Sequence, residues 1–185
     1  MVSLPTLLSF IRMALAPVFM YFFLQGSYIV AVFIFTVAAL SDAFDGYIAR
    51  KYNMTSQLGA FIDPLADKVL IATALLCFIL KNFTSWWVLG VIMGRDVLVT
   101  GLRVAAQRRG VYLVTTRLAQ YKTAAQMVMI YLAFIWLIVH DSSSFVSYPG
   151  IEIFVKTFFY GVVVLTAYTG VDYVYRYLCL DAKGK

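Results

Sequence analysis

The sequence predicts an all-α integral membrane protein of six transmembrane helices, with an interfacial N-terminal segment and both termini in the cytoplasm. Three observations carry that expectation. Of 185 residues, 63% are hydrophobic and only 13% charged, against about 45–50% and about 25% in soluble domains. Apolar runs of about 20 residues, the length a helix needs to cross a bilayer, recur six times along the chain. Basic residues cluster in alternate connections, which gives the runs an orientation.

The first run spans approximately Leu4–Leu24. Leu4, Leu7, Leu8 and Ile11 recur at helical spacing, so the first turn or two is expected at the interface, leading into a span that contains Pro17. Arg12 interrupts the apolar run, and neither a basic leader nor a clear small-residue cleavage pattern surrounds it, so the segment does not read as a cleaved signal. The remaining spans are expected at Tyr28–Ala49, Gly59–Leu80, Trp86–Ala106, Leu118–Val139 and Ile151–Tyr173. Turn chemistry separates them: Gln25-Gly26-Ser27, Asn53 to Gln57, Asn82 to Ser85, Arg108-Arg109-Gly110, and the Ser-rich stretch from Asp141 to Gly150. No internal repeat, low-complexity tail or soluble module interrupts the pattern, so residues 1–185 read as a single polytopic membrane domain.

Arg50 and Lys51 lie in the second connection, Arg108, Arg109 and Arg117 in or beside the fourth, and Arg176, Lys183 and Lys185 after the last span. The positive-inside rule then puts the even connections and both termini in the cytoplasm. The net charge of +6 fits cytoplasmic loops and anionic lipid, and with no soluble basic module it does not point to nucleic acid. Cys77 and Cys179 fall at opposite depths and are expected as free thiols. His140 reads as solvated, Asp172 and Arg176 as an interfacial pair, and the Trp and Tyr residues as an aromatic belt and lipid-facing packing.

Charged groups inside apolar runs are costly and by default mark function. Four carboxylates stand on the second and third spans. Asp42 and Asp45 are three apart and Asp63 and Asp67 four apart, so each pair shares one helical face. Counted outward from the short Arg50–Leu58 connection of two antiparallel helices, Asp42 comes level with Asp67 and Asp45 with Asp63, about 5–12 Å inside the cytoplasmic boundary at 1.5 Å per residue. Four ionised carboxylates cannot share a low-dielectric site without cations. Hard oxygen ligands suit Mg²⁺ or Mn²⁺, and two such ions can clamp a diphosphate. Gly46, Ala49 and Gly59 leave room for a ligand, and Arg50 supplies a cation for phosphate oxygens.

Asp42-Ala43-Phe44-Asp45-Gly46-Tyr47-Ile48-Ala49-Arg50, followed after eight residues by Gly59 and then at intervals of three by Asp63 and Asp67, resembles the signature of the CDP-alcohol phosphotransferase family. Every fixed position of D-x2-D-G-x2-A-R-x8-G-x3-D-x3-D is filled, which is far more specific than a short lone motif. The resemblance implies a six-helix membrane enzyme, a homodimer, that transfers a group from a CDP-linked donor to an alcohol with release of CMP. It implies that Asp42, Asp45 and Asp63 bind metal, that Asp67 contributes to the metal site and acts as general base, and that Asp42, Gly46, Ala49, Arg50 and Gly59 hold the donor. It places the active site on the cytoplasmic side of a bacterial inner or plasma membrane.

Arg95, Arg103 and Lys122 stand within or beside the next two apolar runs, where a group of cations favours an anionic acceptor such as a phosphorylated polyol. The bland readings are an Asp96–Arg103 pair and snorkelling of Arg103 and Lys122 to the headgroups. Pro5 to Arg12, Gly94 to Arg103 and Tyr121 to Gln126 resemble the phosphatidylglycerophosphate synthase branch of the family. That branch usually has Asn where Thr6 stands, Glu at Asp96 and Gly-Lys at Ala119-Gln120. The resemblance implies CDP-diacylglycerol as donor and sn-glycerol 3-phosphate as acceptor, whose phosphate the cations Arg95, Arg103 and Lys122 are expected to bind. Inositol phosphate, serine or another alcohol is the alternative acceptor. An intramembrane prenyltransferase would need a second, separated aspartate motif, and a cation transporter would need polar residues continuing to the outer face. This chain has neither.

Overall fold

The computed structural model describes the backbone of residues 4–52, 57–108, 117–142 and 149–183, and the side chains of 9–41, 65–66, 68–107, 121–140 and 150–179. Six helices account for the regular structure, with no strand among the described residues: α1 Leu4–Leu24, α2 Tyr28–Tyr52, α3 Gln57–Leu80, α4 Trp86–Arg108, α5 Arg117–Ser142 and α6 Pro149–Lys183. They form two compact units, Met1–Thr84 and Ser85–Lys185.

In the first unit α1 packs on both α2 and α3, which also touch each other. Aromatic rings fix the directions. Phe19 meets Phe35 at 5.6 Å and Phe23 meets Tyr28 at 5.2 Å, so α1 and α2 run antiparallel. Phe23 also meets Phe78 at 5.9 Å, and Lys81 lies over the Tyr28 ring, which brings the end of α3 to the start of α2. Two turns close this end by one device. After α1, Gly26 takes φ 80°, Ser27 N–H donates to Phe22 O and Gly26 N–H to Phe23 O. After α3, Asn82 takes φ 56°, Phe83 N–H donates to Phe78 O and Asn82 N–H to Ile79 O. Both are Schellman motifs, in which a left-handed residue lets the chain satisfy the last carbonyls of the helix. Asn tolerates that region better than most residues with a Cβ. The second motif is completed by the apolar contact such turns favour, Phe83 on Phe78 at 5.8 Å.

In the second unit α6 packs against both α4 and α5. Trp87 stacks on Tyr160 at 5.8 Å, and eight residues further along α4 Arg95 reaches Thr169, so α4 and α6 run parallel. Their interface carries polar side chains at its middle and aromatic ones at its start.

Outward-facing residues are apolar in both units: Ile29 and Phe33 on α2, Ile135 on α5, Val164 and Val171 on α6 are all exposed. Tyr121–His140 and Gly150–Cys179 are long and apolar enough to cross a membrane, and Ser9–Leu24, Tyr28–Ser41 and Lys68–Leu80 are shorter apolar helices among the described residues. A surface of this kind suits lipid better than water.

Each expected run is a helix, and the ends differ informatively. α2 continues three residues past Ala49, and α6 continues ten past Tyr173. No Gly or Pro lies between Gly170 and Gly184, and the added turns carry Arg176, which pairs with Asp172 at 2.9 Å in the i,i+4 geometry expected of the two. Pro17 sits inside a continuous α1. Both cysteines are free, Cys77 buried and Cys179 exposed. His140 is exposed and stacks on Trp136 at 4.8 Å.

Candidate active site

Two groups of charged residues occupy different units. In the first, α2 carries Asp42, Asp45, Gly46, Ala49 and Arg50, and α3 carries Gly59, Asp63 and Asp67. Their side chains lie outside the described residues, but the backbone sets their levels. Asp42 stands ten residues before the end of α2 at Tyr52, and Asp67 ten residues after the start of α3 at Gln57. Asp45 and Asp63 stand seven and six residues from the same ends. The helices are antiparallel, so at 1.5 Å per residue the members of each pair differ by no more than about 2 Å in level. The aromatic cluster and both Schellman turns close the far end of this unit.

The same bookkeeping brings up a residue to which the sequence reading gave no role. Arg12 is 1% exposed, and Ser9, one turn before it on α1, is fully buried. Arg12 precedes Phe19 by seven residues and Asp42 follows Phe35 by seven, while Phe19 and Phe35 are in contact. Arg12 also precedes Phe23 by eleven residues, as Asp67 precedes Phe78, and those rings meet too. A buried guanidinium on α1 therefore stands level with Asp42 and Asp67. The signal was present in the sequence as a charge breaking an apolar run.

In the second unit Arg95 is held from four sides. Its Nε donates to Thr169 Oγ1 at 3.2 Å and its Nη1 to Asp96 Oδ1 at 3.0 Å. The guanidinium lies 5.7 Å from the centre of the Tyr173 ring, a cation–π contact. Its stem crosses α6 at Gly170, where a Cβ would come within 3.0 Å of Arg95 Cγ. Nη2 is buried and has no hydrogen-bond partner among the described residues. An arginine fixed on three nitrogen-bearing or ring contacts with one arm left over is prepared for an anion.

Asp96 is the hub of this arrangement. Lys122, only 2% exposed, donates from Nζ to both Asp96 oxygens, at 2.9 and 3.2 Å, and so ties α5 to α4. The pair considered from sequence, Asp96 with Arg103, gives way to Asp96 with Arg95 and Lys122. Arg103 instead donates from Nη2 to the Tyr173 hydroxyl at 3.3 Å. Eight residues separate Arg95 from Arg103, and both turn to the same α6 tyrosine. Tyr173 is thus buried (1% exposed) and bonded to cations, not part of an aromatic belt. Thr169, Gly170 and Tyr173 were missed because a Thr, a Gly and a Tyr in an apolar helix carry no charge to flag them. One turn beyond Lys122, Gln126 is equally buried.

Residues 2–169 match the model of the CDP-alcohol phosphatidyltransferase family. A CDP-diacylglycerol–glycerol-3-phosphate 3-phosphatidyltransferase of Escherichia coli K12 is 36% identical over 160 residues, covering 82% of this chain and 85% of the relative. Enzymes of the same name from Shigella sonnei and Shigella flexneri serotype 5b match with the same identity and coverage. With nine-tenths of its length matched by the family model, and relatives aligned along most of theirs, this chain belongs to the CDP-alcohol phosphatidyltransferase family.

Proposed function

We propose that this protein transfers a phosphatidyl group from CDP-diacylglycerol to the primary hydroxyl of sn-glycerol 3-phosphate, releasing CMP. The observation that carries the reading is the matched level of four aspartates on two packed antiparallel helices, in a chain whose relatives bear the name of that reaction. In the reaction the acceptor oxygen attacks the phosphorus that bears the diacylglycerol, the anhydride P–O bond breaks, and CMP leaves with the bond's electron pair. Asp67 takes the hydroxyl proton, the usual task of a carboxylate general base.

The four carboxylates make an all-oxygen donor set, which fits hard divalent cations. Asp42, Asp45, Asp63 and Asp67 would hold two Mg²⁺ or Mn²⁺ ions, which when bound neutralise the diphosphate and stabilise charge on the entering and leaving oxygens. Asp42, Gly46, Ala49, Arg50 and Gly59 hold the cytidine diphosphate. In the second unit Arg95, Arg103 and Lys122 take the acceptor phosphate, Arg95 through its remaining arm. The chain works as a single polytopic catalytic domain and a homodimer. It crosses a bacterial inner membrane six times, with termini and site on the cytoplasmic side. The acyl chains of CDP-diacylglycerol remain in the bilayer while the soluble acceptor arrives from the cytoplasm.

Initial rates of CMP release by purified protein test the reading. CDP-diacylglycerol with Mg²⁺ and glycerol 3-phosphate should give CMP, and Asp67→Asn should abolish it. Release only with inositol phosphate, serine or another alcohol keeps the chemistry and replaces the acceptor. No release with any acceptor overturns the reading.

A further inference from the structure

Gln126 carries a polar group that the structure leaves unmatched. It is 1% exposed, and neither its Oε1 nor its Nε2 has a hydrogen-bond partner among the described residues. Leaving a buried amide unsatisfied costs free energy that a leucine or methionine at the same place would not incur. Met129, Ile130 and Ala133 follow it as buried apolar residues of α5, so the helix has no general need of polarity there. Gln126 lies four residues after Lys122, on the same face of α5 and about 6 Å further along its axis. Lys122 reaches Asp96, the neighbour and partner of Arg95, whose Nη2 is the second buried unpartnered group of this unit. An unmatched amide and one unmatched guanidinium nitrogen thus adjoin one ion-pair network.

Their chemistry differs. Arg95 offers donors alone and suits a phosphate, which accepts. The Gln126 amide offers one donor face and one acceptor face, and its complement is a group that does both, a hydroxyl. We infer that Gln126 recognises a non-reacting hydroxyl of the phosphorylated alcohol whose phosphate meets Arg95, and so determines which polyol phosphate is accepted. The inference rests on the acceptor assignment under Proposed function. In sn-glycerol 3-phosphate the hydroxyl concerned is the one on C2, between the reacting carbon and the phosphate-bearing carbon.

The test is equilibrium binding to the full-length protein by calorimetry, with sn-glycerol 3-phosphate and 3-hydroxypropyl phosphate, which lacks the C2 hydroxyl. The wild type should bind the first about tenfold more tightly, the worth of one good hydrogen bond. Gln126→Met, nearly isosteric, should erase that ratio by weakening glycerol 3-phosphate alone, and should raise its KM while leaving that of CDP-diacylglycerol unchanged. Its thermal midpoint should equal or exceed that of the wild type, since an unmatched amide has been removed. A wild type that does not distinguish the two ligands, or a variant that loses both equally, overturns the inference. Discrimination in binding without CMP release from either would sink the reaction assignment and leave Gln126 its role.

Discussion

In the first unit stacked rings and two Schellman turns pin the helix ends opposite the aspartates, and in the second the described charged side chains hold one another. Phe23, Tyr28 and Phe78 do nothing chemical, yet they set the level of everything on α1, α2 and α3. In the second unit Asp96 orients Arg95 and Lys122 directly, and Thr169, Gly170 and Tyr173 shape the remaining space. The difference teaches where tolerance should lie. A member of the Asp96 network cannot be changed without disturbing Arg95 and Lys122.

The largest effect is expected in the first unit. Replacing Asp42, Asp45, Asp63 or Asp67 by Asn, one at a time, should lower the initial rate of CMP release about 10²–10⁴-fold, with little change in thermal midpoint. An aspartate whose Asn variant keeps the wild-type rate has no part in the chemistry. The second unit should respond differently. Arg95→Lys keeps the charge but loses the planar fork that meets Thr169 and Asp96 together, and Gly170→Val drives a side chain into the Arg95 stem. Each should raise the acceptor KM about 10–100-fold, the worth of a charged hydrogen bond, and lower the thermal midpoint as well. An equal rise in the KM of both substrates in Arg95→Lys would overturn the proposed division between a donor-binding and an acceptor-binding unit.

The two regions were also unequally legible. Six apolar runs of bilayer length located all six helices, because the period and length of a helix are written in every residue of it. The aspartate spacing could be read because i,i+3 and i,i+4 positions share a face whatever surrounds them. The partners of Asp96 could not. Arg103 lies seven residues along the same helix, a natural partner from spacing, yet Lys122 comes from α5 and Arg95 is adjacent in sequence. Choosing among three cations needs the tertiary arrangement. Tyr173 and Gly170 were invisible for the same reason, since a tyrosine facing lipid and one facing two arginines look alike in a sequence. The extra turns of α6 were missed because an apolar window ends where the helix does not.

A smaller effect tests the pinned end. Asn82 closes α3 at φ 56°, where a residue with a Cβ and no side-chain compensation costs about 1–2 kcal/mol. Asn82→Ala should lower stability by about that amount and Asn82→Gly should leave it unchanged or slightly higher, as followed by thermal unfolding, with the CMP release rate unaltered in both. A fall in rate matching the fall in stability would mean that the aromatic end and the aspartate end of the unit are not separable.

The smallest effect is expected where the same chemistry stands in water or headgroups. Asp172 and Arg176 form an ion pair at 2.9 Å, as short as that of Lys122 with Asp96, one residue before Tyr173 and three after it. Distance alone would rank the two pairs together. Exposure separates them: the Arg176 side chain is 51% exposed, against 3% for Lys122. An exposed pair exchanges one set of solvated contacts for another and gains little, while a buried cation robbed of its carboxylate has nothing to replace it. Arg176→Gln should therefore change the rate of CMP release by less than about twofold, whereas Asp96→Asn should impair both stability and acceptor binding. Comparable losses in the two variants would show that α6 needs charge beyond Tyr173 for function, and would extend the cationic region one turn toward the end of the helix.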